Sequence, residues 1–273
     1  MKKQLANILI PIYKKELSSD EYTSLKQCVS ILSNYPITLV CPKSLNLDNY
    51  FAEYSDFKVE TFHDDFFKSI DGYNKLLMSK QFYRRFLNYE YILIYQLDAY
   101  VFRNELEYWC NLNFDYIGAP WFANTTNSIK DQVLCRVGNG GLSLRKVKSY
   151  YHALNFYWLH FLLKSLYESY DQYLESNLNQ FQRIKLLIAS ILTRFFFIKN
   201  SKYSITRLNE DQYWCLVVPK ININFKVAPL EVGIKFSFEV NPDLLYTINN
   251  KELPFGCHAW ARYNKKFWSQ FIQ

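Results

Sequence analysis

The sequence predicts an α/β fold, a mixed but mainly parallel sheet flanked by helices and interrupted by a helical insertion. Three observations carry this. Short apolar segments alternate with segments of helical spacing from the start of the chain, which is the strand–helix–strand rhythm of a parallel sheet. Tyr91 to Leu97 is apolar or aromatic but for Gln96 and free of charge, the pattern of a strand buried on both faces. The 273 residues are 49% hydrophobic and 19% aromatic, enough to bury a sizeable core and unlike a disordered chain.

Asn7 to Tyr13 reads as the first strand, stopped by Pro11, with Lys14 and Lys15 at a carboxyl end that suits a nucleotide. Ser19 to Leu32 places Leu25, Cys28, Val29 and Leu32 at helical spacing behind capping side chains at Ser18 to Asp20. Pro36 ends that helix. Ile37 to Cys41 and Phe57 to Phe62 are the next strands, joined by a connecting segment. Tyr73 to Leu87 reads as one helix, apolar at Leu76, Leu77, Phe82, Tyr83, Phe86 and Leu87, and it leads into the central strand. That strand ends at Asp98. In open α/β sheets ligands bind outside the carboxyl ends of the strands, so Asp98 is aimed at a site. As a turn-former bonding its own backbone it would be structural, and the stretch alone leaves both readings open.

Glu105 to Leu112 reads as a short helix, Tyr116 to Trp121 as a strand-to-loop transition and Thr125 to Cys135 as a polar loop. Gly138-Asn139-Gly140-Gly141 then precedes a short strand at Leu142 to Arg145. Glycines let a backbone approach a ligand closely, and a hairpin or bulge explains them as well. No phosphate-loop or dinucleotide motif is present. Ser149 to Tyr203 reads as inserted helices. Between Ser176 and Asn209 stand six cations and no acid, beside an apolar stripe at Ile184, Leu187, Ile188, Ile191, Leu192, Phe195 and Ile198. Such a helix, over about 180–201, lies either on an anionic membrane surface or on its own domain.

Asn209-Glu210-Asp211-Gln212 opens a helix running through Val218. Its acids serve either the capping box and the helix dipole or a substrate. Phe225 to Val227 and Phe236 to Val240 read as strands, and His258 sits in the aromatic-flanked turn Pro254 to Trp260.

The net charge of +7 would serve nucleic acid, anionic lipid or a phosphorylated substrate. No basic segment is interleaved with a nucleic-acid motif, so nucleic acid is not an expected partner. Met1 to Leu9 is too short for a signal sequence or a membrane span, which makes the cytoplasm the expected compartment, peripheral on the inner membrane face if the basic helix binds lipid. Six cysteines without C-x-x-C spacing argue against zinc and disulfides.

Six elements in this order resemble GT-A-type glycosyltransferases, nearest to the bacterial DUF5672 family. They are Ile10 to Lys14, Tyr95 to Phe102, Asp115 to Trp121, Gly138 to Arg145, Asn209 to Asp211 and Gly256 to Trp260. The resemblance implies one catalytic domain over 1–273. A nucleotide-sugar-binding half would span 1–103, and an acceptor half 104–273 would carry the basic insertion at about 149–205. It implies transfer of a sugar to a glycan or lipid-linked acceptor in bacterial surface polysaccharide biosynthesis. Pro11, Tyr13, Asp98, Asn139, Gly140 and Gly141 would hold the donor, and Asp211 would act as base with Glu210 orienting. In such enzymes an Asp-x-Asp binds Mn²⁺ or Mg²⁺. Here the motif is Asp98-Ala99-Tyr100, short of one carboxylate, and the resemblance places His258 beside Asp98 as a metal ligand. A nucleotidyltransferase and a non-catalytic sugar- or nucleotide-binding module are the competing readings.

Overall fold

The computed structural model describes residues 3–123, 133–154 and 209–272. Strands β1 (Gln4–Pro11), β2 (Ile37–Pro42), β3 (Lys58–Phe62) and β4 (Tyr89–Tyr95) run parallel, and β9 (Leu142–Lys146) and β6 (Tyr116–Ile117) complete a six-stranded sheet of order β3-β2-β1-β4-β9-β6. Only β9 opposes the rest, pairing antiparallel with both β4 and β6. The chain builds outward from β1 to β3 and then returns to place β4 on the other side of β1. A crevice therefore opens between the carboxyl ends of β1 and β4, where strand order reverses.

Both faces of this sheet are covered. Along β4, Tyr91, Leu93 and Tyr95 enter one core with Leu25, Cys28 and Leu32 of helix α1 (Ser19–Leu32). Ile92 and Ile94 enter a second core with Leu76, Leu77 and Phe82. The period of two that sends alternate side chains to opposite faces makes the charge-free run from Tyr91 to Tyr95 necessary here, with Glu90 at the partly exposed start of the strand. Helix α1 begins at a capping box, Ser18 with Glu21, as its sequence suggests.

Four expectations need correction. Phe225 to Val227 forms no strand, Val227 making only an isolated parallel bridge to Tyr116. The segment after β2 contains a short helix, α2 (Asp48–Glu53). Tyr73 to Leu87 is two helices, α3 (Ile70–Leu77) and α4 (Lys80–Arg84), because Ser79 caps a new helix by accepting from the Phe82 amide. Phe236 ends a helix, Leu230–Phe236, and only Ser237–Phe238 is strand, as β10. That helix presses Gly233 on the hairpin of β7 (Ala119–Phe122) and β8 (Leu134–Gly138), where a Cβ would lie 2.1 Å from Val137 Cγ1. A second small sheet joins β10, β11 (Gly256–Cys257) and β5 (Tyr100–Val101).

The short helix expected after Asp98 forms as α5 (Leu106–Asn111), and helix α6 (Val147–Ala153) crosses the start of the segment expected to be inserted. From residue 155 that segment, with the basic stretch 180–201, lies outside the described residues, as does the expected polar loop up to residue 132, and Cys135 at its end belongs to β8. Among the described residues no helix is long and apolar enough to cross a membrane. All six cysteines are free, and every one but Cys135 is buried.

Candidate active site

The crevice is a cleft of about 630 Å³. Its floor is built by the residues just beyond β1 and β4. After β1 come Ile12, Tyr13 and Lys14, with Tyr13 exposed at the rim. After β4 the chain makes a tight turn closed by Ala99 N donating to Gln96 O, and Trp260 N donates to Asp98 O. The backbone of Asp98 is thus spent on the fold while its carboxylate lines the cleft. Tyr100, at the last position of Asp98-Ala99-Tyr100, is buried in the small sheet and brings nothing to the site.

The turn before β9 supplies the next wall. Asn139 adopts φ 81°, a conformation that Asn tolerates better than most residues. Its Oδ1 accepts from Gly141 N at 2.7 Å and Leu142 N at 3.3 Å, while its carbonyl accepts from Tyr116 Oη at 2.6 Å. Gly141 must be glycine for another reason: a Cβ there would lie 1.9 Å from His258 Nε2. The imidazole packs directly against the turn.

His258 is the hub. Its Nε2 stands 3.1 Å from Asp98 Oδ1 and 3.2 Å from Gln96 Oε1. Its Nδ1 stands 3.0 Å from Glu239 Oε1 and 3.0 Å from Asn139 Nδ2. Burial alone would lower the imidazole pKa, but Asp98 and Glu239 outweigh it and push it up to about 10. Burial likewise works to raise Asp98, and the imidazole holds it below its usual range. Asp98 Oδ1 meets the ring at ion-pair distance without hydrogen-bond alignment, so this buried oxygen remains without a hydrogen bond, as does the hydroxyl of Tyr73 in the same cleft. Buried polar atoms without partners in a cleft are aimed at something that binds there.

Behind the cleft, Asn209 N donates to Gln212 Oε1 at 3.0 Å and starts the helix Glu210–Gln212, which continues as a π-helical turn over Tyr213–Val217. Glu210 turns inward and gives both oxygens to Arg145, at 2.7 and 2.8 Å. Asp211 faces the cleft, accepting from Gln212 N at 2.7 Å, and burial raises its pKa.

All nine residues singled out from the sequence, Pro11, Tyr13, Asp98, Asn139, Gly140, Gly141, Glu210, Asp211 and His258, line this one cleft. Sequence reasoning missed Gln96, Glu239 and Tyr73 as cleft residues and did not single out Arg145. Gln96 carried a signal, since it stands at the same strand end as Asp98. Glu239 and Arg145 carried none, because their neighbours are far away in the chain.

The model of the family described as protein of unknown function (DUF5672) matches residues 56–258. No curated protein matches the chain. Among solved structures it is similar to the galactosyltransferase LgtC in complex with donor and acceptor sugar analogues, at 11% identity over 97% of this chain and 94% of that one, with a TM-score of 0.49. It is similar to mouse xyloside xylosyltransferase 1, at 10% identity over 92% of this chain and 96% of that one, with a TM-score of 0.48. A glycosyltransferase involved in the glycosylation of the major capsid of PBCV-1 is similar at 11% identity over 98% of each chain, with a TM-score of 0.45.

Proposed function

The chain belongs to the DUF5672 family, and we propose that it is a GT-A-type glycosyltransferase, moving a sugar from a nucleotide-sugar donor to a glycan or lipid-linked acceptor in bacterial surface polysaccharide biosynthesis. The observation that carries this reading is the convergence of the nine candidate residues on the crevice where strand order reverses, with a carboxylate oxygen of Asp98 left open towards it. On this reading Pro11 and Tyr13 hold the nucleoside, Tyr13 offering its ring at the rim. Lys14 and Lys68 also line the cleft, ion-paired at 2.6 Å with Glu21 and Asp65, and would have to exchange those partners to meet phosphates.

Asp98, Gln96 and His258 would hold a divalent ion once the imidazole, which Asp98 and Glu239 keep protonated, gives up its Nε2 proton. Among the described residues no three His, Cys, Asp or Glu side chains converge as a metal site, and the amide Gln96 is the third group within reach. Asp98 Oδ1 and Gln96 Oε1 stand 3.1 and 3.2 Å from His258 Nε2, so the three polar atoms converge on one place. Glu239 on Nδ1 orients the ring, as carboxylates do for metal-binding histidines. When bound, Mn²⁺ or Mg²⁺ would neutralise charge on the leaving diphosphate.

Asp211 takes the acceptor hydroxyl proton as that oxygen bonds the anomeric carbon. The bond from that carbon to the phosphate oxygen breaks, and the nucleoside diphosphate or monophosphate departs with the electron pair. Incubation with a panel of UDP-, GDP- and CMP-sugars tests the reading. Release of UDP, GDP or CMP with sugar transfer supports it. Pyrophosphate release would instead identify a nucleotidyltransferase, and no product from any donor, with binding retained, a sugar- or nucleotide-binding module. The lipid-linked acceptor is tested by co-sedimentation with anionic vesicles, which should weaken with salt and with Arg183, Lys185 and Arg194 changed to Ser.

A further inference from the structure

The molecule invests heavily in a buried ion pair that sits one residue from the proposed base. Arg145 is wholly buried and Glu210 nearly so. Besides its two bonds to Glu210, the guanidinium donates from Nε to Ser143 Oγ at 3.0 Å and from NH1 to Tyr83 Oη at 3.2 Å. The rings of Tyr116 and Tyr150 lie 5.9 and 5.7 Å from it. A buried ion pair is a poor source of net stability, since desolvation offsets most of its attraction. Its worth lies in geometry, and the geometry here is shared among four parts of the chain.

Ser143 Oγ carries the pair to the glycine turn by donating to Gly140 O at 3.2 Å. Gly140 packs on the carboxylate so closely that a Cβ would lie 2.5 Å from Glu210 Oε1. From helix α3, Asn74 accepts from Glu210 N at 3.2 Å and donates to Asn209 Oδ1 at 3.1 Å. The helix start carrying Asp211 is thereby clamped between the turn, α3 and β9. With both carboxylate oxygens accepting from Arg145, a substrate proton taken by Glu210 would break up the ion pair.

We propose that Arg145 and Glu210 form a positioning device, which locks the Gly140 turn to the helix start at Asn209 and so holds the Asp211 carboxylate at a fixed place and in a balanced field within the cleft. This rests on Asp211 acting as the base. The groups whose charge or hydrogen bonding acts on Asp211 include Arg145 from β9, the Gly140 amide from the turn, Glu239 beyond β10, Glu210, Gln212 N and Cys215 on its own helical segment, and the Tyr116 phenol from β6. Arg145 is the only cation among these, and Glu210 is what neutralises it.

The test uses the full chain and a donor taken from the UDP-, GDP- and CMP-sugar panel, read as nucleotide release against pH. In Glu210→Gln the shape is kept and the guanidinium loses its counter-charge. The acid limb of kcat should move down by about one pH unit, with kcat reduced at least tenfold and donor KM within about twofold. Ser143→Ala, which cuts the link to Gly140 without touching charge, should lower kcat severalfold at unchanged donor KM and unchanged acid limb. It also decides the matter if Glu210→Gln fails to fold. A pair that serves stability alone would lower the melting temperature and leave the acid limb and kcat of the folded fraction where they were, and that result would overturn the proposal. Asp211→Asn separates the two levels. If it retains turnover, the assignment of the base is wrong; if it loses turnover while Glu210→Gln and Ser143→Ala match wild type, the positioning role is wrong.

Discussion

Replacing Gly141 by Ala adds one methyl group at the tightest point of the cleft. The Cβ would sit 1.9 Å from His258 Nε2, 2.2 Å from Cδ2 and 2.5 Å from Cε1. The backbone cannot retreat, because Gly141 N is held by Asn139 Oδ1 at 2.7 Å and Gly141 O accepts from Gln96 N at 2.8 Å. The ring must therefore move by more than about 1 Å to regain ordinary contact. Its Nε2 then leaves Asp98 and Gln96, now 3.1 and 3.2 Å away. Two polar contacts with a charged partner are lost. The Gln96 hydrogen bond is worth about 1.5 kcal/mol and the half-exposed Asp98 ion pair at most about 1 kcal/mol, roughly 2 kcal/mol together. For a chain of this size the melting temperature should fall by roughly 4–8 °C. Turnover of the panel donor should fall further than stability accounts for, since Asp98 loses its anchor. Differential scanning fluorimetry and nucleotide release at 25 °C measure both. A Gly141→Ala protein that melts like wild type and turns over within threefold of it would refute this account of the imidazole packing on the turn.

The other predictions address single groups. Asp98→Ala should leave the fold intact, because the side chain is about half exposed and packs little, yet abolish transfer; a folded variant with full activity, or wild-type activity in excess chelator, would remove the metal reading. Asp211→Asn should cut turnover by about 10²- to 10⁴-fold while calorimetry shows donor binding retained. The same variant should be more heat-stable than wild type at neutral pH. Burial raises the folded pKa of Asp211, so its ionisation costs stability as pH rises through the unfolded value towards that pKa, and the gain should vanish in acid where both forms are neutral. Glu21 runs the other way: burial works against its charge, but Lys14 at 2.6 Å and Ser18 hold its pKa below the usual range. Glu21→Gln should cost at most about 1 kcal/mol near neutrality, with the difference disappearing as pH falls through the folded pKa of Glu21.

By itself the sequence determined the local half of this protein. A charge-free run such as Tyr91 to Leu97 reads as a strand buried on both faces, Ser18 to Asp20 offer capping side chains ahead of a helical pattern, and a carboxylate at the end of such a strand is a candidate for the sheet's ligand edge. These are short-range constraints, so Asp98, the glycine turn and the start of the helix at Asn209 could be picked out without a partner in view. Where the tertiary structure decided, the contacts span long stretches of chain. The imidazole of His258 meets Gln96 across 162 residues, and Arg145 meets Glu210 across 65. Nothing near Glu239 in the chain shows that it faces a histidine. The helix break at Ser79 and the helix Leu230–Phe236 were hidden for a related reason. Apolar spacing continues through Ser79, where only the capping bond ends one helix and starts another, and Gly233 is shaped by packing on Val137 rather than by its neighbours. Local propensity placed the groups at the edge of the cleft; only the folding of distant segments onto one another determined which of them share a charge.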